Sequence, residues 1–245
     1  MSKISLRFHP HELLFHFEAG TSRGVLTKKK SYFVELSDGV RTGIGEAGPL
    51  FGLSPEFSDD CTAAFEKALQ PFQGLALPTN IQEWITEIPF EEPSFRFALE
   101  TAYHDLAAPF TNKFAQGEKS LPINGLIWMG SAEFMREQIE QKLAQGYSCL
   151  KLKIGAIDFE TELSLLKSIR SRFSKEELIL RVDANGAFSP AEAPYKLEKL
   201  AAYDLHSIEQ PIKAGQPEEM RKLVAHQILP IALDEELIGM QDKSI

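Results

Sequence analysis

The pattern of apolar and polar positions near the start of the chain predicts an antiparallel sheet. Leu13–Phe17 and Ser31–Ser37 are rich in aromatic and branched residues, and Asp38-Gly39 favours a tight turn from the second run into Val40–Ile44. The segment Phe17–Gly24 contains two glycines and one arginine. We interpret it as a loop between the first two strands, either a solvated connection or a mobile lid over a site.

A helical pattern follows these strands. After Ser94, a favourable N-cap residue, apolar side chains recur at helical spacing and predict an amphipathic helix over Phe95–Ala108. A sheet with helices packed on it forms an α+β domain. We assign this domain to residues 1–119.

Strand-like and helix-like segments alternate in the rest of the chain. The predicted strands are Ile123–Leu126, Leu150–Ile154, Leu178–Val182, Leu205–Ile208 and Leu229–Leu233. The predicted helices are Ala132–Gln145, Phe159–Phe173, a helix introduced by Ser189–Glu192, and Pro217–His226. Pro194 predicts a kink in the third helix or a start shifted to the proline. The alternation is typical of a parallel sheet or (β/α) barrel, here over residues 120–245, with five strands and Leu229–Leu233 as an exposed edge.

The strand Leu150–Ile154 places two lysines on the same face. Strand side chains alternate between faces, so Lys151 and Lys153 lie on one side and the apolar residues on the other. On an edge strand, such a face is usually solvated. The two lysines alone therefore do not indicate a site.

A carboxylate ends each of the last three predicted strands. Asp183, Glu209 and Asp234 follow one another about one strand–helix unit apart and should lie at the carboxyl rim of neighbouring parallel strands, where barrel enzymes keep their chemistry. Helix capping explains an aspartate at this place but not Glu209, because glutamate is a poor cap. Three carboxylates together are a ligand set for a hard divalent cation, and we predict Mg²⁺. Asn185 can point the same way as an outer-shell or substrate contact.

Beside such a metal, a lysine of this pair can act as a general base. A free lysine has a pKa of about 10.4, and burial beside a second ammonium and a dication is expected to lower the pKa towards the ~7–8 useful in a base. A metal that binds a substrate carboxylate stabilises the enediolate formed when the α-proton leaves. The pattern therefore predicts proton abstraction next to a carboxylate.

Composition and charge narrow the class of protein. The 245 residues carry a formal net charge of -9, which disfavours nucleic acid and anionic membranes as partners but allows a local basic pocket for a small anionic carboxylate. We see no apolar run of the ~20 residues that a membrane helix needs, and no signal peptide. Cys61 and Cys149 are interpreted as free thiols of a cytoplasmic protein. We expect non-ligand roles for His9, His11 and His16.

Several motifs resemble a known family. The muconate-lactonizing branch of the enolase superfamily has motifs similar to Lys151-Leu-Lys153, Val182-Asp183-Ala-Asn185, Ile208-Glu209-Gln-Pro211 and Leu233-Asp234-Glu235, and Gly43-Ile-Gly45-Glu46 fits the same branch. Within it, the o-succinylbenzoate synthases of menaquinone biosynthesis have strings that resemble Ala19-Gly-Thr-Ser-Arg23-Gly-Val-Leu26 and Ile123-Asn-Gly-Leu-Ile-Trp-Met-Gly130. The resemblance covers essentially the whole chain.

The resemblance implies a fold and a reaction. The fold is an α+β capping domain on a modified (β/α) barrel. Lys153 is then the base that takes the α-proton from a succinyl-hydroxycyclohexadiene carboxylate, and loss of the hydroxyl gives o-succinylbenzoate. Lys151 holds the substrate carboxylate and lowers the pKa of Lys153, and Mg²⁺ is bound by Asp183, Glu209 and Asp234.

The resemblance also implies substrate contacts. Asn185 belongs to the motif after the third barrel strand. Thr21 and Arg23 lie in the segment Phe17–Gly24, which would close over the pocket.

One feature departs from the family. The family has another lysine on the strand after that of Asp234, and the sequence reaches Ile245 before such a strand; we do not assign Lys243 this role, because it lies in a polar segment. We therefore expect a truncated chain or a barrel completed by another segment. Two alternatives to the dehydratase stay open. One is a racemase of N-acylamino acids or a dipeptide epimerase, which uses two opposed bases; the other is a non-catalytic fragment or interaction module.

Overall fold

The computed structural model describes residues 3–21, 24–87, 92–107, 113–114 and 116–240. The chain forms two compact units, one of residues 1–19 and 26–121 and the other of residues 20–25 and 122–245. No helix in the described part of the chain is long and apolar enough to cross a membrane.

The first unit contains a three-stranded sheet in the order β1-β2-β3. Its strands are β1 (Ser5–Thr21), β2 (Gly24–Ser37) and β3 (Thr42–Ala47), and β2 pairs with β3 in antiparallel register. The antiparallel sheet is confirmed. The predicted loop over Phe17–Gly24 is wrong, because β1 continues to Thr21 and β2 already begins at Gly24.

Three helices complete the first unit: α1 (Thr62–Leu69), α2 (Ile81–Glu87) and α3 (Pro93–Ala107), with a short 3₁₀ helix over Gln70–Phe72. The predicted N-cap Ser94 is wrong, since α3 begins one residue earlier at Pro93. Proline suits the first turn of a helix because the N–H groups there have no partner within the helix. The fully buried aromatic residues of this unit are Tyr32, Phe65, Phe72 and Phe95.

Two glycines let α3 lie directly on β3. A Cβ atom at Gly43 would lie 2.0 Å from the carbonyl oxygen of Ala102, and one at Gly45 would lie 1.9 Å from that of Ala98. Real Cβ atoms do not approach backbone oxygen so closely, so any side chain here would push the helix away from the sheet. Gly43 and Gly45 are thus explained by packing.

We expect Gly45→Ala to lower the free energy of unfolding by about 3 kcal/mol, because overpacking against backbone cannot be relieved by a side-chain rotation. Ile44→Ala on the same strand is the matched control, since Ile44 is 52% exposed and should cost less than about 1 kcal/mol. Urea unfolding of both variants measures the difference. Equal losses in the two variants would contradict the packing argument.

The second unit contains a parallel sheet of five strands in chain order. The strands are β4 (Gly125–Ile127), β5 (Cys149–Lys153), β6 (Ile179–Asp183), β7 (Ser207–Glu209) and β8 (Ile231–Ala232). The helices are α4 (Ala132–Ala144), α5 (Phe159–Arg170), α6 (Ala193–Ala201) and α7 (Pro217–Ala225), and a 3₁₀ helix spans Glu235–Leu237.

This alternation is that of the first five strands of a (β/α) barrel, so the predicted fold class is confirmed. Within the described residues, β8 pairs with β7 alone and forms the edge. It is shorter than the predicted strand Leu229–Leu233.

Pro194 lies in the first turn of α6 and does not kink the helix. The helix begins at Ala193, so the proline occupies the first turn and the shifted start is confirmed. Ser189 and Glu192 still form the predicted capping box: the N–H of Ser189 donates to Glu192 Oε2 and the N–H of Glu192 donates to Ser189 Oγ, each over 3.3 Å. The box therefore organises the turn before the helix.

Candidate active site

Parallel pairing brings the predicted site residues to one rim of the sheet. Lys153 is paired in register with Asp183, and Asp183 with Glu209, so these residues lie side by side at the carboxyl ends of β5, β6 and β7. Glu209 is paired in turn with Ala232, which places Asp234 just beyond the end of β8. The strand-end positions read from the sequence are therefore neighbours in space.

The two lysines face these carboxylates. In β5 the apolar side chains are buried and the lysines partly buried, as the alternation predicts. Lys151 Nζ lies 2.6 Å from Glu209 Oε2 and 3.2 Å from Asp183 Oδ2. Lys153 Nζ lies 3.1 Å from Asp183 Oδ2 and donates to Asn185 Oδ1 over 2.7 Å. Asp183 thus joins both ammonium groups, and its own side chain is only 1% exposed.

The carboxylates on this rim change the pKa of Lys151 in the direction opposite to the effect of burial. Burial lowers the pKa of Lys151, but the hydrogen bond to Glu209 and the charge of Asp183 outweigh it, and the net shift is upward. The immediate neighbours of Lys151 are carboxylates, which favour its charged form. The lowered pKa predicted from sequence concerns the base beside a bound dication and stays a prediction.

The carboxylates titrate unequally. Burial raises the pKa of Asp183, yet the charges of Lys153 and Lys151 overcome it and the pKa is lowered. For Glu209, burial raises the pKa more than Lys151 lowers it, and the charge of Asp183 adds to the rise. Partial burial also raises the pKa of Asp234, with further contributions from the negative charges of Glu235 and Asp183. Burial is thus the main reason why the pKa of Glu209 and of Asp234 is raised, and neighbouring negative charges add to it.

Asn185 links the lysine strand to the last turn of the site. It adopts a left-handed backbone conformation with a φ of 44°. Its N–H donates to Asp183 Oδ1 over 3.0 Å, and its Nδ2 donates to Glu235 Oε1 over 3.2 Å. Since its Oδ1 accepts from Lys153, Asn185 helps to fix the orientation of that ammonium group.

Sequence reasoning missed the role of Gln210. This side chain is fully buried and has a φ of 40°. Its Oε1 accepts the N–H groups of Asp234 and Glu236, each over 3.1 Å, and its Nε2 donates to the carbonyl oxygen of Ile212 over 3.0 Å. Gln210 therefore holds the turn that carries Asp234. The signal in the sequence was its position directly after the predicted ligand Glu209. Glu235, which accepts from Asn185, likewise follows the predicted ligand Asp234 directly.

Two predicted substrate contacts have side chains that the structure does not describe. Thr21 is the last residue of β1, and Arg23 lies outside the described residues. Both stay predictions. In the described ranges, no group of three His, Cys, Asp or Glu side chains is already arranged to hold a metal ion. Asp183 is instead paired with Lys151, Lys153 and the N–H of Asn185, and Glu209 is paired with Lys151.

Comparison with known proteins gives a consistent result. Residues 134–243 match the family described as Enolase C-terminal domain-like. An o-succinylbenzoate synthase of Desulfotalea psychrophila is 46% identical over an alignment that covers 98% of this chain and 73% of that protein. The crystal structure of o-succinylbenzoate synthase from Thermosynechococcus elongatus, with magnesium in its active site, superposes with a TM-score of 0.77 at 25% identity and covers 94% of this chain and 68% of that one.

More distant relatives have another activity. A hydrophobic dipeptide epimerase of Roseobacter litoralis is 25% identical over 95% of this chain and 69% of that protein. The similarity to this epimerase is much lower than that to the synthase of Desulfotalea psychrophila.

Proposed function

Because the chain belongs to the enolase superfamily, in the group of the o-succinylbenzoate synthases, we propose that it is a carbon–oxygen lyase that forms o-succinylbenzoate from a small anionic carboxylate. The observation that carries the proposal is the position of Lys153. Its Nζ lies at the carboxyl rim beside Asp183 and Asn185, in line with two further strand-end acids.

The acids fit a hard divalent cation by their chemistry. Asp183, Glu209 and Asp234 offer only oxygen donors. Burial raises the pKa of Glu209 and Asp234 and the negative charge of neighbouring acids adds to the rise, and a bound cation would oppose both effects. We assign these three residues as the ligands of Mg²⁺. Bound there, the ion would polarise a substrate carboxylate and make its α-proton more acidic.

Lys153 is proposed to remove that proton. In its neutral form Nζ takes the α-proton, and the electron pair of the broken C–H bond moves into the carboxylate group. That pair then forms the ring double bond as the β-hydroxyl leaves, and the ammonium of Lys153 can return its proton so that water departs. Lys151 supplies a fixed positive charge for the substrate carboxylate, and Asn185 keeps Lys153 directed into the site.

A racemase or epimerase is the second candidate, and similarity to the dipeptide epimerase supports it. Such a reaction needs a second base on the opposite side of the α-carbon. Within the described residues, the lysines that β5 brings to this rim are Lys151 and Lys153. Lys243 lies outside the described residues. Elimination requires one base, and the higher identity with the o-succinylbenzoate synthase, 46% against 25% with the epimerase, supports it.

The two reactions are separated by their products. With magnesium and the succinyl-hydroxycyclohexadiene carboxylate, we expect ultraviolet absorbance of an aromatic product to appear, and chelation of magnesium should abolish it. The epimerase alternative predicts exchange of the α-proton of a dipeptide in D₂O without aromatic product. An absence of both reactions would favour an interaction module.

A further inference from the structure

An aromatic side chain lies on the rim beside the proposed base. Trp128 directly follows β4, so it leaves the sheet at the same end as Lys153 and Asp183. Lys153 Nζ lies 5.9 Å from the centroid of the indole ring, at the outer limit of a cation–π contact. Trp128 is partly buried.

The backbone of Trp128 is held by one glutamine of the next helix. Its N–H donates to Gln138 Oε1 over 2.9 Å, and its carbonyl oxygen accepts from Gln138 Nε2 over 3.0 Å. Gln138 lies on α4 and occupies both backbone polar groups just where the strand ladder ends. The direction in which the indole leaves the chain is therefore fixed.

Lys153 has both polar and aromatic neighbours. Asp183 and Asn185 contact Nζ with oxygen atoms, whereas Trp128 presents a ring. A carbon that gives its proton to Nζ must come within about 3–3.5 Å of it. The rest of a bound ring can then pack on the indole, because offset stacked rings have centroids ~4.5–7 Å apart.

We propose that Trp128 is a specificity-determining residue that receives the unsaturated ring of the substrate and the planar aromatic ring of the product by offset stacking. It would favour cyclic carboxylates over flexible dipeptides, which offer no such ring beside the reacting carbon. This inference rests on the proposed function and names the part of the site that selects the substrate class.

The two tryptophans of the chain allow a direct test. Trp84 is 5% exposed in the core of the first unit, where it packs against Phe72. A Trp84→Phe variant leaves Trp128 as the sole indole. Titration of this variant with o-succinylbenzoate in the presence of magnesium should change the Trp128 emission with saturation, at the dissociation constant that calorimetry gives.

Substitution of Trp128 tests the stacking itself. We expect Trp128→Leu to raise the dissociation constant of o-succinylbenzoate about tenfold and Trp128→Phe to stay within about threefold, because phenylalanine keeps an aromatic face. Succinate, which has carboxylates but no ring, should bind both variants alike. Gln138→Leu should weaken o-succinylbenzoate binding about threefold, whereas Gln141→Leu, at an exposed position of the same helix, should have no effect.

Two outcomes would overturn the inference. If calorimetry detects binding of o-succinylbenzoate but Trp128 emission does not change in the Trp84→Phe variant, the ring does not stack there, and the proposed function is untouched. The same holds if Trp128→Leu binds as tightly as the unchanged chain. If o-succinylbenzoate does not bind the unchanged chain at all, the proposed function fails and this inference fails with it.

Discussion

Replacing Lys153 with alanine should lower the rate of o-succinylbenzoate formation by about 10³- to 10⁴-fold, because a positioned general base typically contributes ~10²–10⁴ and the alanine leaves no amine in its place. The measurement is the initial rate of the increase in ultraviolet absorbance at saturating substrate and magnesium. Folding is checked by circular dichroism.

A second substitution distinguishes the role of Lys153 as a base from its role as a positive charge. Lys153→Arg keeps a cation beside Asp183, but a guanidinium is not deprotonated in proteins and cannot accept the α-proton. We expect it to be nearly as inactive as Lys153→Ala. Lys167→Ala, at an exposed position of α5, should retain full activity. Substantial activity of the arginine variant would show that Lys153 acts only as a charge.

Neutralising Glu209 should weaken the binding of Mg²⁺ by about 10²-fold or more, about 3 kcal/mol, because one of three charged oxygen ligands is lost. Calorimetric titration of Glu209→Gln with magnesium chloride at constant ionic strength measures this change. Glu218→Gln, on the exposed face of α7, has the same change in net charge and should bind magnesium like the unchanged chain.

The double variant Asp183→Asn, Glu209→Gln extends the test. It should show no magnesium-dependent rise in the melting temperature, since a ligand stabilises a protein only through the state that binds it. If its affinity for magnesium equals that of the unchanged chain, these residues are not the ligands. The pairing of Lys151 with both carboxylates would then be their main role.

Much of the fold follows from local patterns. The alternation in β5 separates the lysines from the buried Leu150 and Leu152 because strand side chains point alternately to opposite faces. The shift of α6 to Ala193 follows from the missing N–H of Pro194. The interpretation of Phe17–Gly24 as a loop was wrong, since glycine and polar residues raise the chance of a turn but do not prevent pairing with a neighbouring strand.

The contacts of Gln210 show where sequence reasoning ends. Its position directly after Glu209 indicates that it lies near the site, but its role arises because it is buried against the turn of Asp234 and Glu236. Its left-handed backbone is likewise set by the packing around it rather than by its own preference. The position of Asp234 at the end of a predicted strand was enough to assign it to the rim, but not to predict its support by Gln210.

The sequence alone determined which faces the lysines occupy and at which strand ends the acids lie, because periodicity and strand termini are properties of neighbouring residues. Only the tertiary structure decided that Lys151 donates a hydrogen bond to Glu209 and that the pKa of Lys151 rises. It also decided that the ammonium group of Lys153 contacts Asp183, Asn185 and the indole of Trp128. These contacts join residues far apart in the chain. Their energies depend on distances and burial, which exist only after the parallel strands have paired.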